Sequence, residues 1–103
     1  MKKYFLLFIF LTPSIALAYS VSNKTISKAH VNITSGYYFT TNEAILNPDS
    51  CGSSSWYRLA EGTYAKEAFS TVLTAKVSGK KVTFSINGCL GSYPKVEYIN
   101  IHD

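Results

Sequence analysis

The sequence is poor in charge and in the residue patterns that carry catalysis. Charged residues make up 16% of the 103 residues and hydrophobic residues 47%, proportions that exclude a disordered acidic or basic tail. The length allows one domain and excludes a multidomain receptor or a large enzyme. No H-E-x-x-H, C-x-x-C or G-x-S-x-G motif occurs, so the common zinc, redox and serine-nucleophile signatures are absent.

Histidines and carboxylates are also sparse. His30 and His102 lie far apart in the sequence, and each is expected to be solvated. A glycosidase needs two carboxylates facing across a cleft, whereas the acids here are scattered: Glu43, Asp49, Glu61, Glu67, Glu97 and Asp103. We therefore predict no catalytic residue, no metal site and no cofactor. A serine and a histidine brought together by folding remain the open alternative.

The first eighteen residues have the order of a secretory signal peptide. Lys2 and Lys3 precede an apolar run over 4–11, and Ala16-Leu17-Ala18 supplies the small residues of a cleavage site. The apolar run is shorter than the roughly 20 residues that span a bilayer; the alternative is an anchor that is kept. We predict a signal peptide at 1–18, a single domain at 19–103, a secreted or periplasmic location and no membrane span after cleavage.

Cleavage also changes the charge. Loss of Lys2 and Lys3 lowers the formal net charge from +4 to +2. Only Lys80 and Lys81 are adjacent cations in the remainder, and Arg58 is the single arginine. Because nucleic-acid binders concentrate Lys and Arg on one face, we expect no nucleic-acid partner.

Cys51 and Cys89 are the only cysteines, and both survive cleavage. In an oxidising compartment an even pair predicts a disulfide. Neither cysteine has a second Cys or a His at ligand spacing, which disfavours the alternatives of a metal site or a reactive thiol.

Hydrophobic periodicity predicts five strands and one helix. The predicted strands span about 25–34, 37–41, 56–59, 82–86 and 95–101, and the helix spans about 64–78. Loop residues fill 42–55, and Asn87-Gly88 predicts a turn. A helix between the third and fourth strands is the order of a small, five-stranded OB-fold-like barrel. The alternative is an open α+β sheet with the helix across one face.

The helix has a predicted apolar stripe and predicted caps. Thr63 is the expected N-cap and Gly79 the expected residue after the last turn. The stripe comprises Ala65, Ala68, Phe69, Val72, Leu73 and Val77. In the last strand, alternation predicts Ile99 and Ile101 on one face and Val96 and Tyr98 on the other.

The exported part holds seven tyrosines against three phenylalanines and one tryptophan. A tyrosine offers a flat apolar ring and a hydroxyl, which suits sugars and protein interfaces. The alternative is that the tyrosines occupy strand positions, where they are favoured.

The segments A-K-V-S-G-K-K-V-T-F-S-I and G-S-Y-P-K-V-E-Y-I-N-I, within 68–101, resemble the B subunits of the subtilase-cytotoxin and pertussis-like AB5 toxins and related small secreted bacterial proteins. The resemblance implies an OB-fold, a homo-oligomeric ring, a toxin A subunit as partner and recognition of host sialoglycans. It places the sugar against Tyr93 and, near the start of the exported chain, Ser20. Lys95 is expected to meet a carboxylate, and Trp56 is a further candidate contact.

The alternatives stay open at this point. Tyr93-Pro94 also suits a plain loop closure, and Trp56 also suits a core position over the disulfide. A periplasmic protein–protein or inhibitor module is the competing function. Single-stranded nucleic-acid binding is a third; it requires aromatic and basic residues interleaved on one sheet face.

Overall fold

The computed structural model describes residues 18–102. The predicted signal peptide covers residues 1–18, of which residues 1–17 lie outside the described part. The elements are β1 (Tyr19–Asn32), β2 (Gly36–Thr41), β3 (Tyr57–Leu59), α1 (Ala65–Ser78), β4 (Lys81–Leu90) and β5 (Tyr93–His102). The prediction of a mainly β domain with five strands and one helix is confirmed.

The strands hydrogen-bond in the order β1-β2-β3-β5-β4, and β4 pairs with β1 to close the ring. All pairs are antiparallel except β3 with β5, which run parallel. The helix provides the crossover between β3 and β4 and packs against β1, β5, β2 and β3. Closure gives each strand a neighbour on both sides, and the β3–β5 pairing is the shortest, limited to Arg58 with Lys95 and Leu59 with Val96.

Alternating strand residues fill the interior. The fully buried large side chains include Phe39, Tyr57, Phe84 and Ile86. Three of these rings pack against one another, with centroids 5.2 Å apart for Phe39–Tyr57 and 4.8 Å for Tyr57–Phe84. The Leu46 N–H donates to the Tyr57 hydroxyl at 2.8 Å, so the loop over 42–56 is tied to this core.

The bounds of β1 and β4 differ from the prediction. β1 begins at Tyr19 rather than near residue 25, because an irregularity between Val21 and Lys24 interrupts the alternation there. β4 continues through Asn87-Gly88, so the predicted turn at that pair is wrong. The chain instead turns between Leu90 and Tyr93.

The predicted faces of β5 are corrected by a second irregularity. Phe84 pairs with Ile99, whereas Ile86 pairs with Val96, so β5 carries one extra residue between these pairs. Val96 is buried and Ile99 packs against the same core, while Tyr98 is 47% exposed. Val96 and Ile99 therefore share the inner face instead of lying on opposite ones.

The helix is shorter by one residue than predicted, and its start differs. Tyr64 occupies the N-cap position and no side chain caps the helix, so the prediction of Thr63 as N-cap is wrong. Gly79 ends the helix in the left-handed conformation, as predicted. Ala75, outside the predicted stripe, is buried with Val72. Two stripe members, Leu73 and Val77, are exposed.

Candidate functional site

Strand alternation divides the side chains of β2 and β3 between the core and the outer surface. Phe39 and Tyr57 are buried in the core. Their neighbours Tyr38 and Arg58 therefore extend from the opposite face of the sheet. The outer face of these two strands therefore carries the side chains of Tyr38 and Arg58.

Register aligns four polar and aromatic side chains across that outer face. Tyr38 of β2 lies opposite His30 of β1 and opposite Arg58 of β3. Arg58 in turn lies opposite Lys95 of β5. A single row thus crosses β1, β2, β3 and β5, with aromatic rings on β1 and β2 and cationic groups on β3 and β5.

Tyr38 is the centre of an aromatic cluster. Its ring centroid is 5.3 Å from that of Tyr93, 5.6 Å from that of His30 and 6.3 Å from that of Trp56. His30 and Trp56 also contact each other at 5.2 Å. The Tyr38 hydroxyl shares a 2.8 Å hydrogen bond with the Ser35 hydroxyl. Tyr38 is buried by these neighbours, whereas His30 is exposed and Trp56 and Tyr93 are half-buried.

Arg58 supports the aromatic cluster through its contact with the Tyr38 ring. Its guanidinium carbon lies 5.5 Å from the Tyr38 ring centroid, and its terminal nitrogen donates to the Ser35 carbonyl and pairs with Glu61 at 3.3 Å. A Cβ added at Gly91 would lie 3.3 Å from the guanidinium, so glycine there leaves room for the arginine. The Arg58 side chain is 13% exposed, which makes it a support rather than a free cation.

Two lysines at the rim are more accessible. Lys28 Nζ lies 5.8 Å from the Trp56 ring centroid, in cation–π range. Lys95 Nζ pairs with Glu97 at 3.5 Å. The Asn87 amide donates to the same carboxylate at 3.0 Å, and this bond, followed by the charge of Lys95, holds the pKa of Glu97 below its ordinary value.

We call this surface the aromatic face. It comprises Lys28, His30, Tyr38, Trp56, Arg58, Tyr93 and Lys95.

The disulfide anchors the loop that leads to Trp56. Cys51 and Cys89 are bonded, with Cα atoms 5.7 Å apart, so the predicted pairing is confirmed. The Asn47 side chain bonds both the N–H and the carbonyl of Cys51, each at 2.8 Å. The Gly88 N–H donates to Asp49 at 2.8 Å. The loop is therefore held against β4 at two neighbouring points.

A third tie holds the end of the loop. The Ser53 N–H donates to the Ser92 carbonyl at 2.7 Å, next to Tyr93 in sequence. This bond brings the residues just before Trp56 beside the β4–β5 turn. Trp56 and Tyr93, which are distant in sequence, therefore lie on the same surface.

Three of the predicted site residues meet on the aromatic face. Trp56 and Tyr93 both contact Tyr38, and Lys95 extends the row from Arg58. Trp56 lies on the outer surface against His30 and is absent from the buried core. Tyr93 opens β5, with Pro94 buried beneath it.

Ser20 is not part of this surface. It lies on β1 opposite Ser85 of β4, and β4 separates that part of the sheet from β5, which carries Tyr93. Ser20 is exposed, whereas the Ser85 hydroxyl is buried without a hydrogen-bond partner among the described residues. Ser20 and Tyr93, the two residues that the resemblance places against the sugar, therefore lie on strands that β4 separates.

Sequence reasoning missed four members of the aromatic face: Lys28, His30, Tyr38 and Arg58. His30 was expected to be solvated, and it is exposed, but its ring also makes tilted contacts with Tyr38 and Trp56. Register alone brings these residues together, since the outward positions of β1 and β2 are aligned by the turn over 33–35. The alternation of His30 with Ala29 and Val31 was the available signal.

Metal ligands and histidine contacts are the features of the described residues that bear on catalysis. Within 18–102, no group of three His, Cys, Asp or Glu side chains is placed to hold a metal ion. His102 contacts a hydroxyl, since its Nε2 lies 2.9 Å from Thr83 Oγ1. A hydroxyl and an imidazole alone do not form a catalytic triad, which also needs a group that orients the imidazole.

Two further findings bear on the function. No helix among the described residues is long and apolar enough to cross a membrane. No protein-family model matches the chain, and no curated protein matches it either.

Proposed function

We propose that this chain is an exported, non-catalytic module that binds an anionic glycan on its aromatic face. The observation that carries the proposal is the convergence of Trp56 and Tyr93 around Tyr38, with Lys28 and Lys95 at the rim. Export to the outside or the periplasm is supported by the disulfide, which persists in oxidising compartments.

The chemistry of the face suits a sugar that carries a carboxylate. A sugar ring has an apolar C–H side, which packs on half-buried aromatic rings, and a rim of hydroxyls, which bond to polar tips such as the Tyr93 phenol. The Lys95 ammonium is suited to a carboxylate as a charged donor. Sialic acid combines all three features, and we therefore name sialylated oligosaccharides as the ligand class.

The strand ring supports a finer assignment of the fold. A helix between the third and fourth strands of a closed five-stranded order is the plan of an OB-fold barrel. We propose this fold, with the role of a toxin B subunit: a homo-oligomer that presents glycan sites and associates with an enzymatic A subunit.

Titration with 3′-sialyllactose tests the proposal. We expect wild-type protein to bind, and Tyr93→Ala to weaken binding by about fivefold or more, because stacking of a ring is worth on the order of 1 kcal/mol or above. Tyr64→Ala is the matched control: Tyr64 is exposed at the start of α1, outside the aromatic face. Calorimetry gives the affinities, and lactose replaces sialyllactose to measure the contribution of the carboxylate.

Two results would remove the glycan site. One is no binding of sialyllactose or of any sialylated member of a glycan array by wild-type protein. The other is equal loss of binding in Tyr93→Ala and Tyr64→Ala, since the aromatic face would then have no special role. A stoichiometric bacterial partner recovered from the producing cell, with no glycan bound, would favour a periplasmic protein–protein module instead.

Single-stranded nucleic acid is the second candidate, because the aromatic face combines rings and cations on one sheet surface, with Lys28 near the Trp56 ring and Arg58 near the Tyr38 ring. Arg58 is already paired with Glu61 and only 13% exposed, and removal of Lys2 and Lys3 leaves a formal net charge of +2. An oligo(dT) titration followed by Trp56 fluorescence tests this candidate: steeply salt-dependent quenching supports nucleic acid, whereas unchanged fluorescence removes it.

A further inference from the structure

Four large aliphatic side chains stay exposed among the described residues. Ile33 is 96% exposed and Val77 is 88% exposed, whereas Val31 and Leu73 are 48% and 42% exposed. The other large hydrophobic residues that stay exposed are tyrosines. Scattered aliphatic residues are ordinary on a protein surface, but a continuous patch of them marks an interaction site.

The four aliphatic residues belong to one continuous surface. Val31 of β1 lies opposite Tyr37 of β2, so the two side chains lie on the same face of the sheet. The Tyr37 ring stacks on Phe69 of α1, with centroids 4.8 Å apart. Leu73 and Val77 follow Phe69 at i+4 and i+8, along the same side of the helix. We call this surface the hydrophobic side; it comprises Val31, Ile33 from the β1–β2 turn, Tyr37, Phe69, Leu73 and Val77.

Lysines border the hydrophobic side. Lys66 and Lys76 lie along the same side of α1, since each is three residues from one of the hydrophobic members on the helix. Lys80 and Lys81 come just after the last turn of α1. All four lysines are exposed. Three of them are close in sequence to Val77, so the positive charge is greatest around the last turn of the helix.

Two carboxylates lie near the first turn of α1. Glu61 lines a hollow with Lys66 and Tyr37, but its carboxylate already pairs with Arg58 at 3.3 Å. Glu67 lines the groove on the other flank of the helix, against β5. The hydrophobic side therefore combines exposed hydrocarbon with an excess of positive charge, which lies towards the C-terminal end of α1.

We propose that the hydrophobic side docks on the surface of an anionic lipid bilayer. Hydrocarbon side chains bordered by lysines bind such a surface in two ways: the side chains enter the boundary between headgroups and acyl chains, and the ammonium groups contact the lipid phosphates. A polyanion without hydrocarbon, such as a nucleic acid, would pair with the lysines and leave Leu73 and Val77 in water. A second copy docked symmetrically through the same side would place lysines against lysines.

The hydrophobic side and the aromatic face do not overlap. Tyr37 and Tyr38 are consecutive in β2, so their side chains extend from opposite faces of the sheet. Tyr37 packs on α1, whereas Tyr38 packs with Trp56 and Tyr93. Contact with lipid therefore leaves the aromatic face open. It goes beyond the proposed glycan binding and does not depend on it.

Vesicle flotation tests the contact with the chain purified after export. We expect the protein to float with vesicles of phosphatidylcholine and phosphatidylglycerol, and to stay behind with phosphatidylcholine alone or at high salt, which screens the lysines. Soluble glycerol 3-phosphate should not displace it, because a free phosphate offers no hydrocarbon. The emission of Trp56, the single tryptophan, should not shift with vesicles, since Trp56 lies on the aromatic face.

Two variants remove the two parts of the contact, each with a matched control. Val77→Ser and Lys76→Gln should each lower the fraction bound to anionic vesicles by about fivefold or more. Tyr64→Ser removes another exposed hydrophobic side chain, outside the hydrophobic side. Asn100→Asp changes the net charge by as much as Lys76→Gln, at an exposed position of β5. Both controls should bind close to wild type, and circular dichroism confirms that each variant keeps the helix.

Four results would overturn the lipid contact: no flotation with anionic vesicles, displacement by glycerol 3-phosphate, a shift of Trp56 emission on binding, and equal losses in the variants and their controls. Self-association that Val77→Ser abolishes without lipid would assign the hydrophobic side to a second copy instead. Sialyllactose titration of the same proteins separates the two proposals. Glycan binding without flotation would refute the lipid contact alone, whereas flotation without glycan binding would refute the glycan site alone.

Discussion

Glu97 couples ionisation at the edge of the aromatic face to folding. Its carboxylate accepts a hydrogen bond from Asn87 of β4 and pairs with Lys95 of β5. Both partners favour the charged form, and the pKa of Glu97 is lowered accordingly. The folded state therefore binds a proton at this site less readily than the unfolded chain.

The sign of the pH dependence follows from that direction. A lowered folded-state pKa contributes stability that is fully present above the unfolded value, near 4.3, and is lost as the pH falls through the folded value. We expect an effect below about 1 kcal/mol, because the carboxylate is exposed to solvent. Carboxyl NMR titration measures the Glu97 pKa directly, and Asn87→Ala should raise it towards its ordinary value. An ordinary pKa in the wild type would contradict this assignment.

The composition of the aromatic face was only partly predictable, and the reason is physical. Tyr93 and Lys95 were identified through a short resembling segment, and Trp56 through its place near Cys51. Tyr38 and His30 join them through the register between β1 and β2. Register depends on the turn and on an irregularity between Ile26 and Lys28, neither of which local composition specifies.

Among the secondary-structure elements, α1 has a C-terminal end that the sequence predicts and an N-terminal cap that it does not. Its first turn is closed by backbone bonds alone, from Ala65 N–H to the Gly62 carbonyl at 3.2 Å and from Ala68 N–H to the Tyr64 carbonyl at 2.9 Å. Thr63 is therefore not needed as a cap. The last turn requires a left-handed residue, a position at which glycine is strongly preferred, so Gly79 was identifiable from sequence.

Gly79→Ala should consequently destabilise the protein by about 1–2 kcal/mol, the cost of a left-handed backbone for a residue with a Cβ. The φ angle at Gly79 is 71°, and a Cβ there would meet no atom within 4 Å, so backbone strain is the sole cause. Urea unfolding monitored by circular dichroism gives the difference.

Gly62→Ala is the matched control for that measurement. A Cβ at Gly62 also meets nothing within 4 Å, and its φ is not in the left-handed region. We expect it to be neutral or slightly stabilising, since alanine reduces the freedom of the unfolded chain. Equal destabilisation by the two substitutions would contradict the left-handed cap.

The strands show the same division between local and non-local causes. The strand centred on Phe84 was clear from alternation, whereas the start of β1 was missed because Asn23, at φ 60°, breaks the period. The extra residue of β5 similarly moved Ile99 to the same inner face as Val96. Both irregularities arise from the register between neighbouring strands of the ring. The order of the elements was therefore predictable from sequence, whereas the face of the sheet on which each side chain lies was not.

For the whole molecule, the disulfide and the strand ring act together. Cys51 and Cys89 are 38 residues apart in sequence, and the segment between them contains β3, α1 and most of β4. The bond therefore connects the loop before β3 to the end of β4, across the crossover that contains the helix. Two hydrogen bonds of the same loop, from Gly88 to Asp49 and from Ser53 to Ser92, join the same parts of the chain.

We expect the double variant Cys51→Ala/Cys89→Ala to lose about 3–4 kcal/mol of unfolding free energy, the chain-entropy value for a loop of this length. For a domain of this size the loss is a large share of the total stability. Urea unfolding at neutral pH measures it, and wild-type protein reduced with dithiothreitol should give the same midpoint as the double variant.

The same variant separates stability from the arrangement of the aromatic face. At low temperature, where enough protein stays folded, loss of the bond frees the loop that carries Trp56, although Asp49 and Ser53 still tie it to Gly88 and Ser92. Trp56 fluorescence should then become more accessible to acrylamide, while the buried Tyr57 and Phe84 keep their NMR shifts. If reduced and oxidised protein unfold within about 1 kcal/mol of each other, the ring of strands alone holds the fold, and the disulfide serves only to position the loop.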